Sequence, residues 1–296
     1  MSATIEGPVA AAHAPEPREE RSARRERIQL LLGSPVFIVG ALIVVFWIVC
    51  AIFGSSFAPQ DPYAVAPMHA LQSPSGAHWF GTDDLGRDVL SRVIVGAQGI
   101  LIVAPLATIL GTVVGTTLGL ITGYFHGLVD NILSRFIDAF LSLPTVIIAL
   151  LAIVALSTSK AAVILVIAIV FAPIIARTVR AAVLQEREME YVSAAQLRNE
   201  NTGYILFAEI LPNVMGPVLV EFTVRLGYAI FTVATLSFLG FGIQPPAPDW
   251  GLQIFEDYGL LAGGYWWPVL FPALAVASLV IGVNMMADAI AKAFER

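Results

Sequence analysis

Charge is what this sequence has least of. Only 13% of its 296 residues are Asp, Glu, Lys or Arg, whereas 57% are hydrophobic. An average soluble domain carries roughly 25% charged residues. A soluble chain of this length could not bury so much apolar surface, and the mean hydropathy of +0.81 agrees. The composition therefore predicts a protein whose main solvent is lipid, so the net charge of -6 says little about its partners.

Cysteine and lysine are nearly absent. The single cysteine, Cys50, cannot form an internal disulfide and lies in an apolar run, which favours a role in packing. The two lysines, Lys160 and Lys292, are not preceded by glycine, so the chain lacks the Gly-Lys-Ser/Thr loop that cradles phosphates. Any ATP that drives this protein must bind on another chain.

Histidine is scarce and lies in polar segments. The four histidines are His13, His69, His78 and His126. None has a metal-ligand partner at a useful spacing, so no metal site is predicted. None lies within an apolar run either, which argues against an intramembrane serine protease, because that enzyme needs a Ser–His pair at membrane depth.

Six apolar segments are long enough to cross a bilayer, which takes about 20 residues. They cover about residues 35–57, 100–125, 132–156, 161–179, 214–242 and 266–289. The predicted fold is therefore all-α, with six transmembrane helices in a domain of residues 34–296. The first 27 residues are polar and cannot build a core, which predicts a disordered cytoplasmic tail over residues 1–33.

Lys and Arg predict the orientation of these spans. They concentrate before the first span, between the fourth and fifth spans and after the sixth. The opposite side carries only Arg87, Arg92 and Lys160. The positive-inside bias therefore places both termini in the cytoplasm. The loop of about residues 180–212 is then cytoplasmic, and the loops of about 58–98 and 243–265 are external.

Glycine repeats every four residues in the second span. Gly111, Gly115 and Gly119 share one face, which lets another helix approach closely. The neighbour is either another helix of this chain or a helix of a second subunit.

The loop between the fourth and fifth spans is charged and amphipathic. It predicts a helix that breaks between Asn199 and Gly203, because Asn tolerates the left-handed backbone that ends a helix. A second helix follows and stops at the Leu-Pro pair of 211–212. Ala194 and Ala195 form a small face against which a partner could pack.

This loop resembles the "EAA" loop of ABC importer permeases, which carries Glu-Ala-Ala, a later Gly and then Leu-Pro. Ala194, Ala195 and the Leu-Pro pair match, whereas Ser193 replaces the Glu and Asn199 replaces the Gly. Three further blocks resemble the dipeptide/oligopeptide and nickel permeases. They are residues 80–92, which begin Phe-Gly-Thr-Asp, residues 130–144 and residues 236–251. The first block is most similar to the dipeptide permease "C" chain.

The resemblance implies a type I ABC importer subunit that is not itself an enzyme. It implies a second homologous permease, one or two P-loop ATPase subunits that hold ATP and Mg, and an external substrate-binding protein, all at a bacterial inner membrane. Nucleic acid is not expected as a partner. The resemblance assigns the ATPase contact to Glu190, Tyr191, Ala194, Ala195, Gln196, Leu197, Asn199, Gly203, Leu211 and Pro212. A bulky charged residue at Ala195 is then expected to uncouple the ATPase without unfolding the spans.

Two charge clusters complete the candidate sites. Glu221 and Arg225 lie within the fifth span at a spacing that lets them pair, either as a structural ion pair or as part of the solute pathway. The cluster of Asp83, Asp84, Arg87 and Asp88 is either a solvated, capped helix start or a docking surface for the binding protein.

The cargo remains open among short peptides, glutathione, nickel complexes and other small solutes. An ion-coupled secondary transporter is the rival class, and it would need a coupling-ion site of its own. Uptake driven by a proton gradient without an ATPase would favour that rival.

Overall fold

The computed structural model describes residues 31–125, 127–156 and 159–294, and these are largely helical. The helices are α1 (Pro35–Phe57), α2 (Val89–Tyr124), α3 (Leu128–Leu141), α4 (Thr145–Leu156), α5 (Lys160–Glu186), α6 (Glu190–Leu197), α7 (Met215–Phe238), α8 (Trp250–Asp257) and α9 (Trp267–Phe294). Between α6 and α7 lie Thr202–Tyr204, the π-helical Ile205–Ile210 and Leu211–Asn213, together called the second loop helix. The predicted tail lies outside the described residues except for residues 31–33, which are helical.

Five of these helices, α1, α2, α5, α7 and α9, are long and apolar enough to cross a membrane. The sixth predicted span is not a continuous helix. It is divided into α3 and α4, which meet at an angle of 93°. Pro144 lies at the break, where it supplies no backbone N–H and disfavours helical backbone at the residue before it. The chain therefore has six spans only if the bent pair counts as one.

Three predicted boundaries move. Helix α2 begins at Val89 rather than near residue 100, because the Asp88 side chain caps it by accepting the Ser91 N–H at 2.9 Å. The external loop predicted over residues 58–98 therefore ends at Asp88. Helix α5 continues to Glu186, so the loop predicted from residue 180 is shorter at its start. Polar residues at these helix ends lower the local hydropathy, so a hydropathy criterion does not assign these residues to the helices.

Close packing of α2 against α5 forms the centre of the fold. A Cβ placed on Gly115 would lie 2.6 Å from the Ala172 carbonyl oxygen and 2.7 Å from the Ile175 Cβ. Gly111 and Gly119 make similar contacts with α5. The glycine face is therefore buried within this chain, which confirms intrachain packing rather than a subunit interface.

Helix α1 packs on the outside of α2 and α9. A Cβ on Gly40 would lie 2.7 Å from the Gly282 carbonyl oxygen, and the Trp47 indole N–H donates to the Ser278 hydroxyl at 2.9 Å. The Trp47 ring also meets Trp250 edge to face, with centroids 4.6 Å apart. Cys50 lies buried in the same region, which agrees with its predicted packing role.

The helix bundle has two ends. One end, called the loop end, carries residues 187–214 between α5 and α7. The other, called the cap end, carries residues 58–88 and 239–266, and the Trp267 indole N–H joins the first of these segments to the start of α9 by donating to the Thr82 carbonyl at 3.0 Å. At the loop end, Arg180 donates to both carboxylate oxygens of Asp130, at 2.9 and 2.8 Å, and so fixes α3 to α5.

The glycine face predicts a specific sensitivity. We expect Gly115→Ala to destabilise the protein by about 1–3 kcal/mol, because its Cβ meets backbone and a Cβ atom that cannot move aside freely. Thermal unfolding in mild detergent measures the loss. Gly76→Ala is the control, since a Cβ there meets no atom within 4 Å. Equal thermal midpoints for the two variants would contradict the packing argument.

Candidate functional site

The loop end carries the helix–turn–helix that the sequence predicts. Helix α6 ends at Leu197, and Asn199 adopts left-handed backbone with φ 55°. Asn is one of the few residues that tolerate this conformation, which explains how it stands where the family pattern has glycine. The Asn201 side chain then accepts the Gly203 N–H at 2.9 Å and starts the second loop helix. The predicted break and restart are therefore confirmed.

Hydrogen bonds fix this loop to the ends of the long helices. The Gln196 amide donates to the Tyr124 hydroxyl at 3.2 Å, and Arg187 donates to the Gly123 carbonyl at 3.0 Å. The Tyr191 hydroxyl donates to the Glu186 carboxylate at 2.8 Å. Burial and this carboxylate raise the pKa of Tyr191, so the hydroxyl keeps its proton. The loop is thus held rigidly against α2 and α5.

The two alanines of the loop face opposite ways. Ala195 is 0% exposed and packs within the chain together with Val192, whereas Ala194 is exposed. The expectation that Ala195 touches a partner is therefore corrected, because its own chain covers it. A bulky charged side chain there would displace the loop itself, so Ala194 is the position that tests docking.

The remaining predicted contact residues divide in the same way. Tyr191 and Leu211 are partly buried. The exposed ones are Glu190, Gln196, Leu197, Asn199, Gly203 and Pro212. Leu197 is 85% exposed, although hydrogen bonds fix the loop beside it. Its neighbours Ala194 and Gln196 complete a surface, called the α6 knob, that the chain supports but does not cover.

The predicted ion pair in α7 is present. Arg225 Nε donates to Glu221 Oε1 at 2.6 Å, and the Arg225 guanidinium carbon lies 5.3 Å from the centre of the Tyr228 ring. Glu221 is buried and Arg225 is partly buried. Pairing removes the high cost of two isolated charges within a spanning helix.

One of the two roles predicted for the acidic cluster at the cap end required solvated side chains. Most of these side chains are buried instead. Asp83, Arg87 and Asp88 are 2%, 6% and 4% exposed, and of the four predicted docking residues only Asp84 has an exposed side chain. Asp88 accepts from His78 at 2.9 Å as well as capping α2. Three of the four residues therefore hold the cap end together, and docking remains a prediction that Asp84 alone can test directly.

Sequence reasoning missed the partners of this cluster. Arg87 bridges Asp83, at 2.5 Å, and Glu256 near the end of α8, at 2.8 Å. Arg92 is 1% exposed and lies 3.6 Å from the same Glu256 carboxylate. Asp257, which follows Glu256 in the chain, is also buried. This burial and the charge of the nearby Asp83 raise the pKa of Asp257 to about 7. In the sequence, the only local signal for these contacts is the acidic pair of Glu256 and Asp257, which ends a short amphipathic segment.

These features define the class of the molecule: a multi-pass membrane protein with a rigid, exposed helical knob at one end of its bundle. Comparison with known families then identifies it. Residues 115–296 match the family described as the inner membrane component of binding-protein-dependent transport systems. Residues 23–74 match the N-terminal transmembrane domain of oligopeptide transport permease C. The chain belongs to this family of ABC importer permeases.

Curated relatives align along most of the chain. The dipeptide transport system permease protein DppC of Alkalihalophilus pseudofirmus is 36% identical over 96% of this chain and 94% of its own length. The protein of that name in Escherichia coli is 40% identical over 87% and 88%. The glutathione transport system permease protein GsiD of Salmonella typhimurium is 37% identical over 93% and 88%.

The buried Asp257 predicts a pH dependence of stability. Its folded-state pKa of about 7 lies above the ordinary 3.8, so the fold favours the neutral form. Stability is therefore lost as the pH rises through this window, and the full penalty applies above it. We expect Asp257→Asn, which cannot ionise, to raise the thermal midpoint over wild type by an amount that grows across the window and then stays constant.

Thermal unfolding in detergent between about pH 4 and about pH 8 measures this effect. The control is Asp61→Asn, at an exposed aspartate of the same cap end. A gap between Asp257→Asn and wild type that does not change with pH would contradict the assignment.

Proposed function

We propose that this chain is one of the two membrane-spanning subunits of an ATP-driven importer for short peptides. It forms half of the pathway, and a second homologous permease forms the other half. One or two ATPase subunits bind ATP and Mg at the loop end, which faces the cytoplasm together with both termini. A substrate-binding protein delivers cargo at the cap end, outside the inner membrane of a bacterium.

The α6 knob is the observation that carries the ATPase contact. A leucine that is 85% exposed gains from burial against a partner, and burying such a side chain is worth about 1.5–3 kcal/mol. The knob can also transmit force, because hydrogen bonds from Arg187 and Gln196 fix the loop to the end of α2. Movement of the ATPases would therefore reach the spanning helices rather than be absorbed by a flexible loop.

Charge supports the proposed orientation. Arg180, Arg187 and Arg198 lie in or beside the loop end, as the positive-inside bias requires of the cytoplasmic side. The cap end carries few cations. Arg87 there and Arg92 in the first turn of α2 are occupied within the chain by Asp83 and Glu256.

The names of the relatives support the cargo. Two of those above are dipeptide permeases, which favours short peptides. The glutathione permease supports a second candidate, and its cargo is itself a small peptide-like molecule with free carboxylates. The two cargoes therefore make similar chemical demands on a pathway.

Within the acidic cluster, Asp84 is the residue proposed to contribute to docking of the binding protein. It is exposed beside the buried Asp83–Arg87 pair, and two large apolar side chains of the same cap end, Met68 and Trp79, are 92% and 68% exposed. Burial raises the pKa of Asp84, as does the charge of Asp83, and a cationic partner group beside Asp84 would offset the repulsion between the two carboxylates.

A substitution in the knob tests the ATPase contact. We expect Leu197→Asp to weaken co-purification of the ATPase subunits and to lower peptide uptake by about tenfold or more, because a buried contact is replaced by a desolvated charge. Leu197→Met, which keeps size and polarity, is the matched control. Uptake is measured in vesicles that contain the whole transporter and binding protein.

Leu197→Asp leaves the chain's own core untouched, since the side chain it replaces is exposed. Its thermal midpoint should therefore equal that of wild type. Normal uptake by this variant would show that the ATPases dock elsewhere.

A further inference from the structure

Helix α7 carries a line of polar side chains along one face. The residues are Glu221, Arg225, Tyr228, Thr232 and Thr235. They are spaced alternately four and three residues apart, so on a helix with 3.6 residues per turn they fall within an arc of roughly 80°. The line rises roughly 21 Å along the helix axis, which is a large part of the about 30 Å thickness of a bilayer core. This set is called the polar stripe.

The outer part of the polar stripe, from Tyr228 to Thr235, reaches the open side of α7, whereas Glu221 is buried and Arg225 is partly buried. Tyr228 is 56% exposed, and Thr232 and Thr235 are partly exposed. The other side of α7 is packed against the bundle, where the buried residues are Gly227, Ala229, Ile230, Val233, Ala234 and Leu236. The open side of this helix carries these polar groups beside apolar ones, of which Phe231 and Phe238 are 59% and 38% exposed.

Lipid is a poor solvent for this face. The two threonine hydroxyls bond to carbonyls of their own helix at 2.8 Å and are tolerated in lipid, so the argument rests on the other members. A charged pair and a phenol at this depth are costly against hydrocarbon and normally face a cavity or the bundle interior. The exposed face of α1 shows the contrast, with Leu42, Val45 and Ile52 each more than half exposed.

Arg225 is held in position from two sides. Its Nε is bonded to Glu221 and its guanidinium lies near the Tyr228 ring, so the orientation of the planar group is determined. Among the described residues, no hydrogen bond involves its two terminal nitrogens, Nη1 and Nη2. These nitrogens form the fork that binds a carboxylate with two parallel hydrogen bonds.

We propose that the polar stripe is a wall of the solute pathway and that Arg225 binds the carboxylate or carbonyl oxygens of the peptide as it passes. Tyr228 and the two threonines continue the wall and offer hydroxyl oxygens for backbone groups. This inference rests on the proposed function, because the second permease must enclose the water-filled side. Glu221 positions Arg225 and offsets its charge, so that the peptide is bound weakly enough to leave.

The accessibility of introduced cysteine thiols tests whether the polar stripe lines the solute pathway. The one native cysteine, Cys50, is buried and is first replaced by alanine. Single cysteines are then placed at Thr232 and Thr235 in the complete transporter, reconstituted in vesicles with ATP and loaded binding protein. A charged methanethiosulfonate reagent reacts only with thiols that reach water, because the thiolate is the reactive form.

Two matched positions provide controls. Thr223→Cys changes the same residue type on another face of α7, and Leu42→Cys places a thiol on the apolar face of α1, where Leu42 is 64% exposed. We expect the stripe cysteines to react at least about tenfold faster than both controls, and their modification to block peptide uptake. Stripe cysteines that react no faster than Leu42→Cys would overturn the inference.

A double substitution tests whether Arg225 binds the peptide. The double variant Glu221→Gln with Arg225→Gln keeps a neutral, hydrogen-bonded pair. We expect peptide uptake per ATP hydrolysed to fall about tenfold, as the loss of a charge-assisted contact predicts. Unchanged uptake per ATP would overturn the role of Arg225, and a variant that fails to fold leaves the thiol test to decide.

The same vesicles separate this inference from the proposed function. If the wild-type assembly takes up no peptide, the proposed function fails whatever the thiols do. If it takes up peptide while the stripe thiols stay unreactive, the proposed function stands and the pathway wall lies elsewhere.

Discussion

The contact between α2 and α5 is the constraint on which the rest of the structure depends. Glycines at four-residue spacing let the two backbones approach so closely that a Cβ at Gly115 would lie 2.6 Å from a carbonyl oxygen. In a membrane, such van der Waals packing replaces the hydrophobic effect as the source of helix association. The pair forms a rigid unit, and α1, α7 and the bent α3–α4 pair are placed by packing on it.

Polar contacts stabilise each end of this unit, and they differ in kind between the two ends. At the loop end, hydrogen bonds from Gln196 and Arg187 fix a short helical knob while leaving Leu197 uncovered, and the Asp130–Arg180 pair fixes α3 to α5. At the cap end, buried charges join the start of α2 to the end of α8. Buried ion pairs contribute little net stability but are costly to break, so they define one arrangement of the cap segments. An importer needs this combination, because movement at one end must alter access at the other.

The family comparison and the geometry answer different questions. Similarity along most of the chain to dipeptide and glutathione permeases establishes the kind of machine. It does not say which side chains meet the cargo. The proposed answer is the polar stripe of α7, where Glu221 and Tyr228 hold the Arg225 guanidinium and leave its terminal nitrogens for a ligand.

The sequence by itself determined the class of protein, the approximate position of the spans, the helix–turn–helix with its left-handed Asn199, and the Glu221–Arg225 pair. All of these follow from local hydropathy, short-range spacing or backbone preference. Tertiary structure alone decided that Ala195 faces inward, that Asp83 and Arg87 are buried against Glu256, and that the third span bends. Those outcomes depend on which distant segments meet, and a pattern along one segment carries no information about the surface that covers it.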